Sequence, residues 1–533
     1  MPPLARDYRG RTSREARRAA TVVALATLGV FPAAARDAGQ RNGGAITAAV
    51  RSYRAAHELA ILREFADLLS IPNLASDDQN IRRNAAAIAA LLEKRAVRVT
   101  LLDGEGGPPA VYGELPARGA TRTVVFYAHY DGQPVDPARW TGKPWEPVVR
   151  DATPESGGKD IPWSALTAPV DPKYLVYARS ASDDKAAIVG MATALDALAA
   201  AGRLPSVNVK FFFEGEEEAG SPHLSEILRR NLDRLASDLW LFCDGPVHQS
   251  GRKAVFFGTR GIIDVEITAY GAVRRLHSGH YGNWSPNPAA DLAGLVASMR
   301  DGEGRISIPG FAADVRSPTD AERRAIAETP DVDAALKREL GLGRTEGGGE
   351  RIEARILLPA LNVRGFAAGD VGEKATNSIP TEATVSIDFR LVPDLTPETV
   401  RAKVEDFLRA RGFFLVRETP DVATRLSHPR VLKVEWGSGY PATRTSMDLP
   451  VSRAVVKVLS DATGAPVVRL PTLGGSGPNY LFEQILKAPV LGVPIANHDN
   501  NQHASNENIR IGNFWDGIEI YAALMAGLGK AWR

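Results

Sequence analysis

Cysteine is all but absent. The chain of 533 residues holds one, Cys243. A lone cysteine excludes an internal disulfide and a thiolate-held metal cluster, so any metal here must be held by imidazole and carboxylate. An excess of one charge is also missing. Lys+Arg total 64 and Asp+Glu 63, which gives no electrostatic reason to expect nucleic acid or an acidic membrane as a partner. Past the N-terminus no apolar run is long enough to span a bilayer. Internal repeats and long low-complexity tracts are missing too. Apolar content of 44% and charged content of 24% are those of an ordinary globular protein. The length points to two or three domains.

The N-terminus reads as a targeting segment. Arg14, Arg17 and Arg18 precede an apolar run from Ala19 to Phe31, and Ala33-Ala34-Ala35 offers small residues for cleavage. This order is that of a secretory signal over residues 1–38, and the Arg17-Arg18 pair leaves a twin-arginine route open. The expected location is periplasmic or secreted, or cytoplasmic where the segment is not a signal.

Further on, helix and strand patterns alternate. Residues 51–97 show helical spacing, with Leu59, Leu62, Phe65, Leu68 and Leu69 on one face. Val124 to Tyr127, Val207 to Phe213 and Leu239 to Cys243 are short apolar strands, and Ala186 to Ala200 is an Ala-rich helix. This predicts an α/β domain with a mostly parallel central sheet flanked by helices. After Gly261 the pattern changes. Ile262 to Tyr270 and Ala383 to Leu391 alternate as half-exposed strands, accompanied by helices at Ala289 to Met299 and Pro397 to Arg409. The α/β pattern resumes with Val451 to Leu459, Ala488 to Val493 and Phe514 to Leu528. The expected division is a catalytic domain at 51–260 and 439–533, with an inserted α+β lid at 261–438. Asp151 to Lys159 and Gly347-Gly348-Gly349 read as surface excursions.

Acidic and histidine residues sit just after the apolar strands, where open α/β sheets line a ligand crevice. His129-Tyr130-Asp131 follows the first. Asp131 has the spacing to orient a metal-bound His129, although most such triplets are bland. Ser182-Asp183-Asp184-Lys185 places two carboxylates side by side, which suits either a cation or a helix cap. Glu214-Gly215-Glu216-Glu217-Glu218 follows another strand. It reads as a ligand beside a proton acceptor or as a solvated acidic loop. Asp244 ends a third strand, and His503 opens His503-Ala504-Ser505-Asn506-Glu507. Together these form an oxygen and nitrogen donor set suited to Zn, Mn or Co.

In this order the motifs resemble the co-catalytic di-zinc metallopeptidases that include carnosinase, glutamate carboxypeptidase and aminoacylase. The match runs H-x-D, D-D-K, E-E-x-G-S, D and a C-terminal His, and covers nearly everything from Arg51 onward. The carnosinase-like dipeptidases look nearest, through Leu276-His277-Ser278-Gly279, Ile306-Ser307-Ile308-Pro309-Gly310, Arg390-Leu391-Val392-Pro393 and Gly474-Gly475-Ser476. The resemblance implies two divalent ions, most simply zinc, with manganese or cobalt as alternatives. His129 would bind one ion and His503 the other, Asp183 would bridge both, and Glu218 and Asp244 would complete one shell each. Asp131 would orient His129. Glu217 would be the general base for metal-activated water, with Glu216 the alternative in register. His277 would donate to the developing oxyanion, in its own subunit or across a dimer formed through the lid. Arg390, with Ser476, would hold the substrate's terminal carboxylate, a surface salt bridge being the plainer role for Arg390. His280 and His498 read as supporting residues.

The implied reaction is amide hydrolysis of dipeptides or short peptides with a free C-terminal carboxylate. The alternative is hydrolysis of N-acyl or N-carbamoyl amino acids, and a non-catalytic binding protein on the same fold is a third reading. Two features depart from the family's pattern. Ala178-Arg179-Ser180 stands where G-R-G is usual, and Ala186 follows Lys185 in place of Gly. The stretch 151–172 is longer than expected and is expected to reshape the pocket.

Overall fold

The computed structural model describes residues 33–532. The expected signal segment lies outside the described residues, apart from the start of the helix Ala33–Leu69.

Eight strands form one sheet, in the order Arg98–Leu102, Ala110–Leu115, Asn208–Glu214, Thr123–His129, Leu239–Phe242, Val490–Gly492, Ala254–Phe256 and Val468–Leu470. The centre is parallel: Thr123–His129 runs between Asn208–Glu214 and Leu239–Phe242, with Val490–Gly492 beyond. Two antiparallel strands close one edge. The central strands read as unbroken apolar runs because both faces are covered. Val124, Phe126 and Ala128 enter one core with Phe211, Phe213 and Leu241. Val125 and Tyr127 enter a second with Phe212, Trp240 and Phe242. The first core is roofed by the helices Lys185–Ala200, Pro450–Thr463 and Ile511–Ala531, together with Ala33–Leu69. The second is closed by Leu224–Arg230 and by Phe482, whose ring lies 4.6 Å from Trp240 and 5.0 Å from Phe242.

A second sheet has the order Ala360–Ala367, Glu382–Leu391, Gly261–Tyr270, Val431–Tyr440 and Phe414–Val416. Its pairs are antiparallel except the last. The helices Pro288–Met299 and Pro397–Ala410 pack one face through Leu292, Leu295, Val400, Val404 and Leu408. The opposite face is more open, which is why these strands alternate in sequence. Helix Pro397–Ala410 starts where Thr396 accepts the Thr399 N–H and Pro397 fixes the first turn.

The two sheets are joined where 257–260 leaves the first and 441–445 returns. The Thr443 N–H donates to the Thr259 carbonyl at 3.0 Å, and the Thr259 N–H to Thr443 Oγ1 at 3.1 Å. The segments run so close that a Cβ at Gly258 would lie 2.1 Å from the Thr443 carbonyl oxygen. No described helix is long and apolar enough to cross a membrane.

Candidate metal centre and active-site cavity

The parallel strands deliver their ends to one rim. His129 closes Thr123–His129, Glu214 closes Asn208–Glu214, and Asp244 follows Leu239–Phe242. Asp183 comes from the loop before Lys185–Ala200, and His503 from the loop before Asn508–Arg510.

Two groups of donor atoms result. His129, Asp183 and Asp244 each offer an atom within 4.8 Å of the others, and so do Asp183, Glu218 and His503. Asp183 belongs to both. Its Oδ1 lies 2.8 Å from His129 Nε2 and its Oδ2 3.2 Å from His503 Nε2. Glu218 Oε2 is 3.2 Å from the same His503 nitrogen. Two amides hold the carboxylates in place: Gln502 donates to Asp183 Oδ2 and Gln133 to Glu218 Oε2, both at 2.7 Å. Asp131 Oδ1 lies 3.3 Å from His129 Nδ1. Its two oxygens also accept the N–H groups of Glu217 and Glu218, at 3.0 and 2.9 Å. Asp131 thereby ties the imidazole to the glutamate turn.

The charges at this rim oppose one another. Burial and the nearby Asp183 push the carboxyls of Glu218 and Asp244 up to about 8 and about 6. Burial pushes Glu217 well above the carboxylate range, with Asp244 and Glu218 adding to the rise. Burial opposes charge on His129, yet Asp131 and Asp183 outweigh it and hold the imidazole well above its ordinary value. Burial works against ionised Asp183 as well, and His129 and His503 more than offset it, so its carboxyl is held low. Asp244 Oδ1 and both oxygens of Asp184 are buried with no hydrogen-bond partner. Such a crowd of buried carboxylates is costly without a cation, and the oxygen and nitrogen donors fit a divalent ion. Asp184 occupies the cap position of Lys185–Ala200 but makes no capping bond. Capping therefore does not account for the Asp183-Asp184 pair.

The four glutamates divide their tasks. Glu214 accepts from Tyr127 Oη at 2.8 Å. Glu216 faces His223, taking its backbone N–H at 2.7 Å and meeting its Nδ1 at 2.8 Å. Glu217 lines a cavity of 420 Å³, together with Asp183, Asp244, Arg390, Ser476 and His503. Glu218 turns to His503. The proximity of Glu216 to Glu217 in sequence is therefore not repeated at the cavity.

Arg390 Nη1 donates to Ser476 Oγ at 2.9 Å, and Arg390 Nε lies 3.4 Å from Asp388. His277 is elsewhere. It is exposed in a short pairing with Ser378, accepts the Gly279 N–H at 3.1 Å, and its ring lies tilted 4.6 Å from that of His280. It does not line the cavity. His498 is exposed and also off the cavity wall. The expectation that 151–172 reshapes the pocket is corrected: none of these residues lines it. Asp160–Ile161 instead pairs with Val148–Arg150 in a small outer sheet, and Trp163 donates to the Pro147 carbonyl.

Three supporting residues escaped the sequence reading. Glu507 is wholly buried and accepts from Arg179, Ser180, Ser182 and Asp183. Its position four residues after His503 was the available signal. Asn73 donates to the Tyr130 carbonyl at 2.8 Å and to Ser180 Oγ at 2.7 Å. Gln502 is the third. Ser180 has φ of 63°, a conformation that favours glycine. This is where the sequence departs from G-R-G, and the serine hydroxyl gains a bond there that glycine cannot make.

A profile of peptidase family M20/M25/M40 matches residues 125–527. The Cys-Gly metallodipeptidase dug1 of Schizosaccharomyces pombe is 26% identical over 83% of this chain and 88% of its own. The Beta-Ala-His dipeptidase of Rattus norvegicus is 28% identical over 79% and 80%. Among solved structures, an M20 family metallo-carboxypeptidase from Sulfolobus solfataricus is 26% identical, with a TM-score of 0.70 over 88% of this chain and 99% of that one. Human carnosine dipeptidase 1 shares the fold, with a TM-score of 0.71 at 23% identity over 91% and 99%.

Proposed function

The chain belongs to peptidase family M20/M25/M40, and from that premise we propose that it cleaves the amide bond of dipeptides or short peptides ending in a free carboxylate. The carrying observation is that Asp183 is shared by two donor groups beside a cavity that also holds Glu217 and Arg390. The relatives named as Cys-Gly and Beta-Ala-His dipeptidases support small dipeptides as the substrate class.

His129 and Asp244 would hold one divalent ion, Glu218 and His503 a second, and Asp183 both. Zinc suits this donor set, with manganese or cobalt as substitutes. When bound, such ions supply Lewis acidity and lower the pKa of water toward neutrality. Glu217 takes the proton of the attacking water and returns it to the leaving nitrogen. Asp131 keeps His129 oriented through Nδ1. Arg390, steadied by Ser476, receives the terminal carboxylate.

The chain acts as a homodimer paired through residues 261–438, a lid that presents His277 to the second copy's cavity. The exposure of His277 away from its own cavity supports this reading. Residues 51–260 and 439–533 form the catalytic domain, and the crossing at Gly258 and Thr443 is where the lid joins it. Residues 1–38 direct export.

The test is a substrate panel with metal supplied: Cys-Gly, β-Ala-His, a longer peptide, an N-acetyl and an N-carbamoyl amino acid. Cleavage of the dipeptides is the expected outcome. Turnover confined to the acyl or carbamoyl compounds would reject the peptidase reading while keeping the metal centre.

A further inference from the structure

A second cavity has a volume of 310 Å³. That volume is at the small end of ligand sites. Its wall is apolar through Leu336, Ile356 and Leu361. Leu340 and Leu342, also part of it, are 63% and 45% exposed. Exposed leucines around a concave surface mark a place where apolar matter binds.

The wall also carries Arg260, which is only 8% exposed. Its Nη2 donates to the Leu358 carbonyl at 2.6 Å, and its Nε has no partner. Among the described residues no carboxylate lies within ion-pair distance of it, which is unusual for a buried guanidinium. Burial, with the nearby Arg390 adding to it and Asp388 only partly offsetting it, brings its pKa down to about 10. The other wall arginines are neutralised, Arg300 by Glu346 and Arg355 by Glu350. Arg260 is thus the wall arginine with no carboxylate in ion-pair contact among the described residues. Thr259, one residue earlier, lines the catalytic cavity, so adjacent residues of one segment face the two cavities.

We propose that this second cavity binds a small carboxylate with an apolar body, its carboxylate on Arg260 and its hydrocarbon against Leu336, Ile356 and Leu361. This goes beyond the peptidase reading and does not depend on it.

The probe is 3-phenylpropionate, followed by ligand-observed NMR on the full chain without any substrate. Saturable binding is expected. Leu336→Trp fills the cavity and weakens binding about tenfold or more. Leu340→Glu, at an exposed position that folding tolerates, sets a charge in the apolar wall and also weakens it. The uncharged 3-phenylpropan-1-ol binds about tenfold more weakly than the acid. No binding overturns the proposal. So does an alcohol that binds as well as the acid. Binding unmoved by Leu340→Glu and Leu336→Trp overturns it as well, because the acid then sits outside this cavity.

Discussion

The backbone N–H of Asp183 donates to Oε1 of Glu507 at 3.0 Å. The same carboxylate accepts the Ser182 N–H and the Ser180 N–H, each at 2.9 Å, and Arg179 Nη1 at 2.8 Å. Burial works against its charge and the Arg179 guanidinium works for it. One buried carboxylate therefore shapes the loop that sets Asp183 between His129 and His503.

Glu507→Ala should accordingly cost more than an ordinary core substitution. It leaves Arg179 buried without its partner and several N–H groups without an acceptor. The expected loss is about 3–5 kcal/mol of folding free energy, read from denaturant unfolding. A loss below about 1 kcal/mol would mean that the loop holds its shape without Glu507.

His277 offers a test of pairing between copies. His277→Ala and Glu217→Gln are each expected to be nearly inactive alone. Mixed and allowed to exchange subunits, they should regain activity, because one site of each mixed dimer then has both groups. Random exchange gives up to about a quarter of the wild-type rate. No recovery on mixing, with exchange verified, would place His277 in the service of its own subunit or outside the reaction.

Glu483 should make stability depend on pH. Burial pushes its carboxyl from 4.5 up to about 7, although Thr445 Oγ1 donates to it at 3.4 Å. Between these values the folded state binds more protons than the unfolded state. Stability from this group is therefore full below pH 4.5 and is lost as pH rises toward 7. Glu483→Gln removes the penalty and should stabilise the chain at neutral pH by about 2 kcal/mol, with little effect near pH 4.5. An equal effect at both pH values would contradict this.

The sequence was most legible where one physical demand dominated. The runs at Val124 and Leu239 read as strands because both faces of the central sheet are buried. Ile262 to Tyr270 read as an alternating strand because buried residues alternate there with less buried ones over its first half, although only Glu266 is fully exposed. The donors at His129, Asp183, Glu218, Asp244 and His503 stood out as charged groups at the ends of apolar strands and loops. Their roles came from resemblance, not from spacing. What stayed hidden depends on distant partners. Glu507 lies more than 320 residues from the loop it supports, and Asn73 more than 100 from Ser180. The division of labour among Glu214, Glu216, Glu217 and Glu218 needed the turn itself, since four like residues in five positions carry no direction. The stretch 151–172 misled because length alone does not say which side of a sheet a loop covers.

The measurement that bears most directly on the account is a metal titration of chelator-stripped protein, with dipeptide turnover and bound metal followed together. Wild type should gain activity up to two ions per chain. Glu217→Gln should bind the same two ions with turnover lower by about 10²–10⁴-fold. Asp183→Asn should lose both metal and activity. Dipeptide cleavage that persists in the stripped protein, or wild-type turnover by Glu217→Gln, would contradict the account.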